Sequence, residues 1–121
     1  MGKLVLIIDD STFMRELVAS TLKRAGYEVI EGSNGQEGLD RLGENRVNLI
    51  ISDVNMPVMD GLTFVKNVRS STANEFTPIL MLTTESSEER KKEGKAAGAT
   101  GWIVKPFDPP QFLQTISKVV R

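Results

Sequence analysis

The 121-residue chain predicts an α/β fold built on one five-stranded parallel sheet, and three observations predict it. Short β-branched apolar runs alternate with longer segments whose apolar residues recur at helical spacing. Three of the runs are apolar almost throughout, as strands covered by helices on both faces are. Four of them end in a polar, chemically useful side chain. At this length folding can remove about two-thirds of the unfolded chain's surface from water, and the 40% hydrophobic content fills that interior. No repeat, low-complexity stretch or linker interrupts the pattern, so residues 1–121 are expected to form one domain with no further effector domain.

The first strand is residues 4–8 (LVLII). The helix after it carries Met14, Leu17, Val18, Leu22 and Ala25 on one face, with Ser11 placed to cap it and Gly26 to end it. The second strand is residues 27–30 (YEVI). A helix then starts at Asn34 with Glu37 three residues on, a capping-box pattern, and presents Leu39 and Leu42, although Gly38 and Gly43 weaken it. Residues 47–51 (VNLII) make the third strand, and Asp60 and Gly61 precede a helix showing Leu62, Val65 and Val68. The fourth strand is residues 78–82 (PILML). The helix over 87–97 has a capping box in Ser86 and Glu89, but nearly all its other positions are Arg, Lys, Glu, Gly or Ala. So little apolar area anchors it that it belongs at the low-stability end of the structure. The fifth strand, 101–104 (GWIV), leads to a helix with Asp108 as cap, Pro109 at its first position, and Phe112, Ile116 and Val119 on its inner face.

Composition excludes several classes. With no Cys and no His, thiolate and imidazole nucleophiles, Ser-His-Asp triads, iron–sulfur clusters and ordinary zinc sites are absent. Fifteen basic against sixteen acidic residues leave a net charge of −1, so no global positive field collects nucleic acid. The apolar stretch from Leu4 to Ile8 is too short for a signal segment or a membrane span, and a cytoplasmic, monomeric protein is expected. Chemistry is left to carboxylates, hydroxyls, amines and backbone.

Those groups collect at the strand ends: Asp9 and Asp10 after the first strand, Asp53 after the third, Thr83 and Thr84 after the fourth, Lys105 after the fifth. Taken singly each has an ordinary role. Acids before a helix cap it and meet the positive end of its dipole, Asp53 could be a turn acid, most strand-end threonines satisfy backbone groups, and most lysines are solvated. Together they are harder to dismiss, because open parallel sheets bind ligands in the crevice beyond the carboxyl ends of their strands. If the first and third strands are neighbours, the three acids meet, and two carboxylates ~4 Å apart repel by about 4 kcal/mol at an effective dielectric of 20. Something positive must sit between them. A hard divalent cation, Mg²⁺ or Mn²⁺, suits an all-oxygen donor set. Such a site, with the Lys105 amine and Thr83 hydroxyl aimed at the same point, suits a phosphoryl group. A carboxylate nucleophile there forms an aspartyl-phosphate.

Asp9-Asp10, the segment Asp53-Val54-Asn55-Met56-Pro57-Val58-Met59-Asp60-Gly61, Thr83 and Lys105-Pro106-Phe107 resemble, in order and spacing and across the whole chain, the receiver domain of bacterial two-component response regulators. The stand-alone chemotaxis members are the nearest likeness. The resemblance implies a flavodoxin-like, doubly wound (βα)5 sheet of order 2-1-3-4-5 and a cis Lys105–Pro106 bond. It implies that Asp53 accepts a phosphoryl group from a sensor histidine kinase or a small phosphodonor. Asp10 and Asp53 would ligate Mg²⁺ (or Mn²⁺) directly, Asn55 through its backbone carbonyl, and Asp9 mainly through water. Lys105 would contact the phosphoryl oxygens, and Thr83 would move to them. Trp102 stands where the family keeps its switch aromatic, usually Tyr or Phe, and has no phenolic hydroxyl.

Output is expected on the basic side. Residues 85–121 hold seven basic and five acidic side chains, and Trp102 is of the type enriched at binding hot spots. The face of the fourth helix, fifth strand and fifth helix, with Lys91, Lys95, Trp102 and Lys118, is therefore the expected docking surface for a protein target such as a flagellar motor switch component. Three other readings compete. A phosphorelay intermediate or phosphate sink would share the active site. A dehalogenase-like phosphohydrolase would carry an Asp-x-Asp motif at the first strand, where this chain has Asp9-Asp10-Ser11. An FMN binder would not place two acids beside the phosphate. The protein is expected to promote its own phosphorylation and dephosphorylation without acting as a turnover enzyme.

Overall fold

Every strand and helix expected from the sequence forms. The computed structural model describes residues 2–43 and 45–120, and its elements alternate along the chain as β1 (Leu4–Ile8), α1 (Thr12–Arg24), β2 (Glu28–Gly32), α2 (Gly35–Leu42), β3 (Leu49–Ser52), α3 (Gly61–Arg69), β4 (Ile79–Thr83), α4 (Glu88–Ala97), β5 (Gly101–Val104) and α5 (Pro109–Val119). The strands are all parallel and lie in the order β2-β1-β3-β4-β5. The chain thus reverses its direction of travel across the sheet between β1 and β3, which is the switch point where such sheets bind ligands.

Alternation along the central strands divides the core into two layers. Leu6, Ile8, Ile50, Ile79 and Met81 face α2, α3 and α4 through Leu42, Phe64, Val65, Val68 and Ala97. Val5, Ile7, Leu49, Ile51, Leu80 and Leu82 face α1 and α5 through Val18, Ala19, Leu22, Phe112 and Ile116. This two-sided burial is why the strands read as apolar runs rather than alternating ones.

The boundaries move where backbone groups are spoken for. Tyr27 lies outside β2 because its N–H bonds the Leu22 carbonyl at 3.1 Å and closes the end of α1. Val47 lies outside β3 because its N–H bonds Asn74 Oδ1 at 3.0 Å. Pro78 has no N–H, so β4 starts at Ile79 and takes Thr83 as its last residue. On α1, Leu17 is 40% exposed and Ala19 takes the core position expected of it.

Caps form at Ser11, Asn34 and Asp108 as expected, and Asp60 caps α3. Glu37 differs slightly: its carboxylate reaches past Asn34 to the N–H of Ser33 at 2.7 Å. The fourth helix is a correction, since its cap is Ser87, whose Oγ accepts from the N–H of Arg90, and not Ser86. Both backbone groups of Glu85 are engaged, the N–H by Thr83 Oγ1 and the carbonyl by Trp102 Nε1. That holds the loop extended for one residue more. Within α4 only Gly94 and Ala97 are buried, in keeping with a weakly anchored helix.

Candidate functional site

Register places the acids. Ile8 pairs with Ser52 across β1 and β3, so Asp9 and Asp53 are the first residues beyond paired strand ends. The N–H of Asp53 donates to the Ile8 carbonyl at 2.9 Å, and that of Asp9 to the Gly32 carbonyl at 3.2 Å. Carboxylate oxygens of Asp9, Asp10 and Asp53 all lie within 4.8 Å of one another.

Unequal burial separates their roles. Asp9 is 3% exposed and Asp53 8%, whereas Asp10 is exposed. Both oxygens of Asp9 have partners, Oδ1 accepting from the N–H of Ser11 at 2.9 Å and Oδ2 from Lys105 Nζ at 2.7 Å. Asp53 Oδ1 accepts from the N–H of Val54 at 2.6 Å, and its Oδ2 from Lys105 Nζ at 2.9 Å. The positive charge that three acids demand is therefore the ammonium of Lys105, which bridges two of them. The Lys105–Pro106 bond is cis.

Desolvation by burial raises the Asp9 carboxyl above the ordinary aspartate value, and the bonds from Lys105 and Ser11 only partly oppose this. Burial pulls Lys105 the other way, but hydrogen bonds to Asp9 and Asp53 outweigh it and leave the ammonium above its ordinary value. The pair is not shifted symmetrically: for Asp9 the desolvation outweighs its one ammonium partner, whereas for Lys105 two carboxylate partners outweigh the desolvation.

Downstream of Asp53, the Asp60-Gly61 pair has a steric reason. Gly61 donates its N–H to the Val54 carbonyl at 2.7 Å, and a Cβ there would press into the Asp53 carbonyl oxygen. Only glycine lets α3 start so close to the reactive strand end. Asn55 is exposed in the same loop.

Thr83 is fully buried at the end of β4, and its hydroxyl accepts from the N–H of Glu85 at 3.2 Å rather than reaching the acids. The Glu85 carbonyl in turn accepts from Trp102 Nε1 at 2.8 Å. A single peptide segment thus links the threonine to the indole, and the indole N–H does what a phenolic hydroxyl cannot be present to do. Sequence reasoning missed Glu85, which carried no signal. It also missed Gly94, whose signal was a glycine in a helix with a tryptophan eight residues on. A Cβ at Gly94 would sit 2.6 Å from Trp102 Cζ3. Gly94→Ala is expected to turn the indole out, break its bond to Glu85 and shift the tryptophan emission to the red. The fold should lose about 1–2 kcal/mol, the overpacking cost partly offset by helix propensity. Fluorescence and thermal unfolding check this, and an unchanged emission contradicts it.

Lys91, Lys95 and Trp102 line one cleft of about 270 Å³ with Ala99, Thr100 and Gly101. Lys118, in the last turn of α5, is exposed but is not among its lining residues. On the other side of Trp102, a groove of about 370 Å³ runs between β5 and α5 past Ile103, Pro106, Phe107 and Phe112.

The donors are all carboxylate oxygens and one of the acids faces solvent, a set that fits a hard cation which keeps part of its water. A doubly wound sheet with carboxylates and an amine converging at its switch point is a scaffold for handling cations and phosphoryl groups. The chain belongs to the response regulator receiver domain family, which matches residues 5–117. It is 39% identical over 118 residues to the chemotaxis protein CheY1 of Helicobacter pylori, covering 96% of this chain and 95% of that one. It is 36% identical over its full length to the transcriptional regulatory protein SrrA of Staphylococcus aureus, of which it spans 49%. Among solved structures, the chemotaxis protein CheY4 of Vibrio cholerae superposes with a TM-score of 0.94 at 53% identity, covering 99% of this chain and all of that one. The protein is accordingly a two-component signalling receiver, a phosphorylation-dependent switch. No helix among the described residues is long and apolar enough to cross a membrane.

Proposed function

We propose that Asp53 is the phosphoacceptor of a cytoplasmic, monomeric regulator of the chemotaxis type. The observation that carries it is the bridge of Lys105 Nζ between Asp9 and Asp53: a buried carboxylate held at a strand end beside a second acid and a shared ammonium. An Asp53 oxygen attacks the phosphorus of a phosphohistidine on a sensor kinase. The new O–P bond forms as the P–N bond breaks, and the imidazole leaves with its electron pair. Asp10, Asp53 and the Asn55 carbonyl would hold Mg²⁺, with Asp9, the most buried of the three acids, acting through water. Mn²⁺ would serve in its place. When bound, the cation supplies positive charge where the phosphoryl oxygens gather negative charge.

Lys105 then exchanges the Asp53 carboxylate for a phosphoryl oxygen. Thr83 gives up the N–H of Glu85 and turns its hydroxyl to another. Because the Glu85 carbonyl holds the indole, this frees Trp102 to change rotamer and alters the cleft beside Lys91 and Lys95. The two lysines favour an acidic partner segment, such as one on a flagellar motor switch component, and Lys118 would add charge from α5. The protein catalyses its own phosphorylation and dephosphorylation rather than turnover of a separate substrate.

Beryllofluoride with Mg²⁺ mimics the phosphoryl group on Asp53. It is expected to change the Trp102 emission and the amide shifts of α4, β5 and α5, and to tighten binding of an acidic peptide. If the emission and those shifts stay fixed while the mimic binds, the switch is refuted and the protein is a phosphate carrier.

A further inference from the structure

We infer that Arg15 is a positioning residue for the cation site, a role that rests on the metal-binding reading above. Arg15 lies in the first turns of α1, outside the acid cluster, yet its side chain is only 18% exposed. Nη1 donates to the backbone carbonyl of Asp9 at 2.6 Å, and Nε lies 3.3 Å from Glu31 Oε1 on β2. Glu31 is fixed by pairing with Ile7, and its carbonyl also accepts from Arg41 Nε of α2 at 3.2 Å. One guanidinium thus ties the turn after β1 to the end of the neighbouring strand.

The bonded carbonyl is the one between the two acids. A peptide unit is planar from one Cα to the next, so holding the Asp9 oxygen sets the plane that ends at Asp10 Cα and leaves a single backbone torsion, φ of Asp10, to direct where its side chain departs. Asp9 is held independently by Ser11 and Lys105, whereas Asp10 is exposed, so Asp10 gains most from a fixed backbone. Partners that orient a ligand from outside the coordination shell are typically worth ~10–100-fold in metal affinity.

Charge and geometry predict opposite outcomes here. Arg15 brings a positive charge toward a cation site, so on electrostatics alone its removal tightens cation binding. Positioning predicts that removal weakens it. A lysine retains the charge but lacks the planar fork that can meet a carbonyl and a carboxylate at once.

The test is calorimetric titration of the full chain with Mg²⁺ alone, for the parent, Arg15→Met and Arg15→Lys, with thermal unfolding of each metal-free protein as a check on the fold. The expected result is binding about tenfold weaker in Arg15→Met and weakened at least severalfold in Arg15→Lys. The amide shifts of Asp10 and Ser11 should move in both variants while the metal-free melting temperatures stay close to the parent's. Equal or tighter binding by Arg15→Met overturns the inference, as does full parental affinity in Arg15→Lys, which would make charge the whole effect. Should Arg15→Met fail to fold, Arg15→Lys alone decides. Absence of Mg²⁺ binding by the parent would instead overturn the cation-site reading on which the role of Arg15 depends.

Discussion

Asp53→Asn is expected to abolish phosphorylation by a small phosphodonor such as acetyl phosphate. An amide nitrogen is no nucleophile at neutral pH, and the side chain keeps its volume, so its single oxygen can still accept one of the two bonds that the carboxylate takes from Val54 and Lys105. The parent should gain one phosphoryl group only when Mg²⁺ or Mn²⁺ is present, because a single ammonium among three carboxylates leaves too little positive charge for the transferring group. Intact-mass spectrometry before and after reaction reads both outcomes. Equal labelling of Asp53→Asn, or undiminished labelling of the parent in excess chelator, would refute the assignment. In the same series, Asp10→Asn should weaken Mg²⁺ binding more than Asp9→Asn, since Asp9 already has partners on both oxygens.

The second large effect is on stability. Lys105→Met leaves Asp9 and Asp53, both buried, facing each other without the cation that bridges them, and removing one partner of a buried pair costs about 3 kcal/mol. The pH dependence follows from the raised pKa of Asp9. An acid with a higher pKa folded than unfolded makes the folded state bind the proton more tightly, so stability falls as pH rises from the unfolded value through the folded one. Loss of Lys105 raises that carboxyl further, and the variant should therefore regain stability toward mildly acidic pH. In the parent, the raised Lys105 pKa keeps the ammonium charged through neutrality, and its contribution is present below the unfolded lysine value and lost only as pH rises through the higher folded one. Mg²⁺ should stabilise Lys105→Met more than the parent, because no ammonium competes for the carboxylates. Urea unfolding across pH, with and without Mg²⁺, checks both statements. A variant as stable as the parent at neutral pH would show that solvent already screens the two acids.

The strands, helices and converging acids were legible in the chain because each leaves a local mark. Burial on both faces writes continuous runs such as Leu4–Ile8, an amphipathic helix writes spacing such as Phe112–Ile116, and caps such as Ser11 and Asp108 write single polar residues ahead of apolar segments. The reactive groups were legible because strand ends are marked by the change from apolar to polar. Boundaries were less so. Whether Tyr27 or Ser86 belongs to an element depends on the bond that the Leu22 carbonyl accepts from Tyr27 and the one that the Trp102 indole donates to Glu85, and those partners are set by the fold.

The positive charge among the acids shows the division most clearly. Charge counting requires a cation between Asp9 and Asp53, but only packing shows that the Lys105 ammonium, fifty-two residues beyond Asp53, fills that place in this structure. The bond from Trp102 to the Glu85 carbonyl, the space that Gly94 leaves for the indole, and the pairing of Arg15 with Glu31 are of the same kind. Residue type and period follow from short-range sterics and solvation, which a linear sequence records. Contacts between groups far apart in the chain form only after the five strands are in register, and no local pattern encodes them.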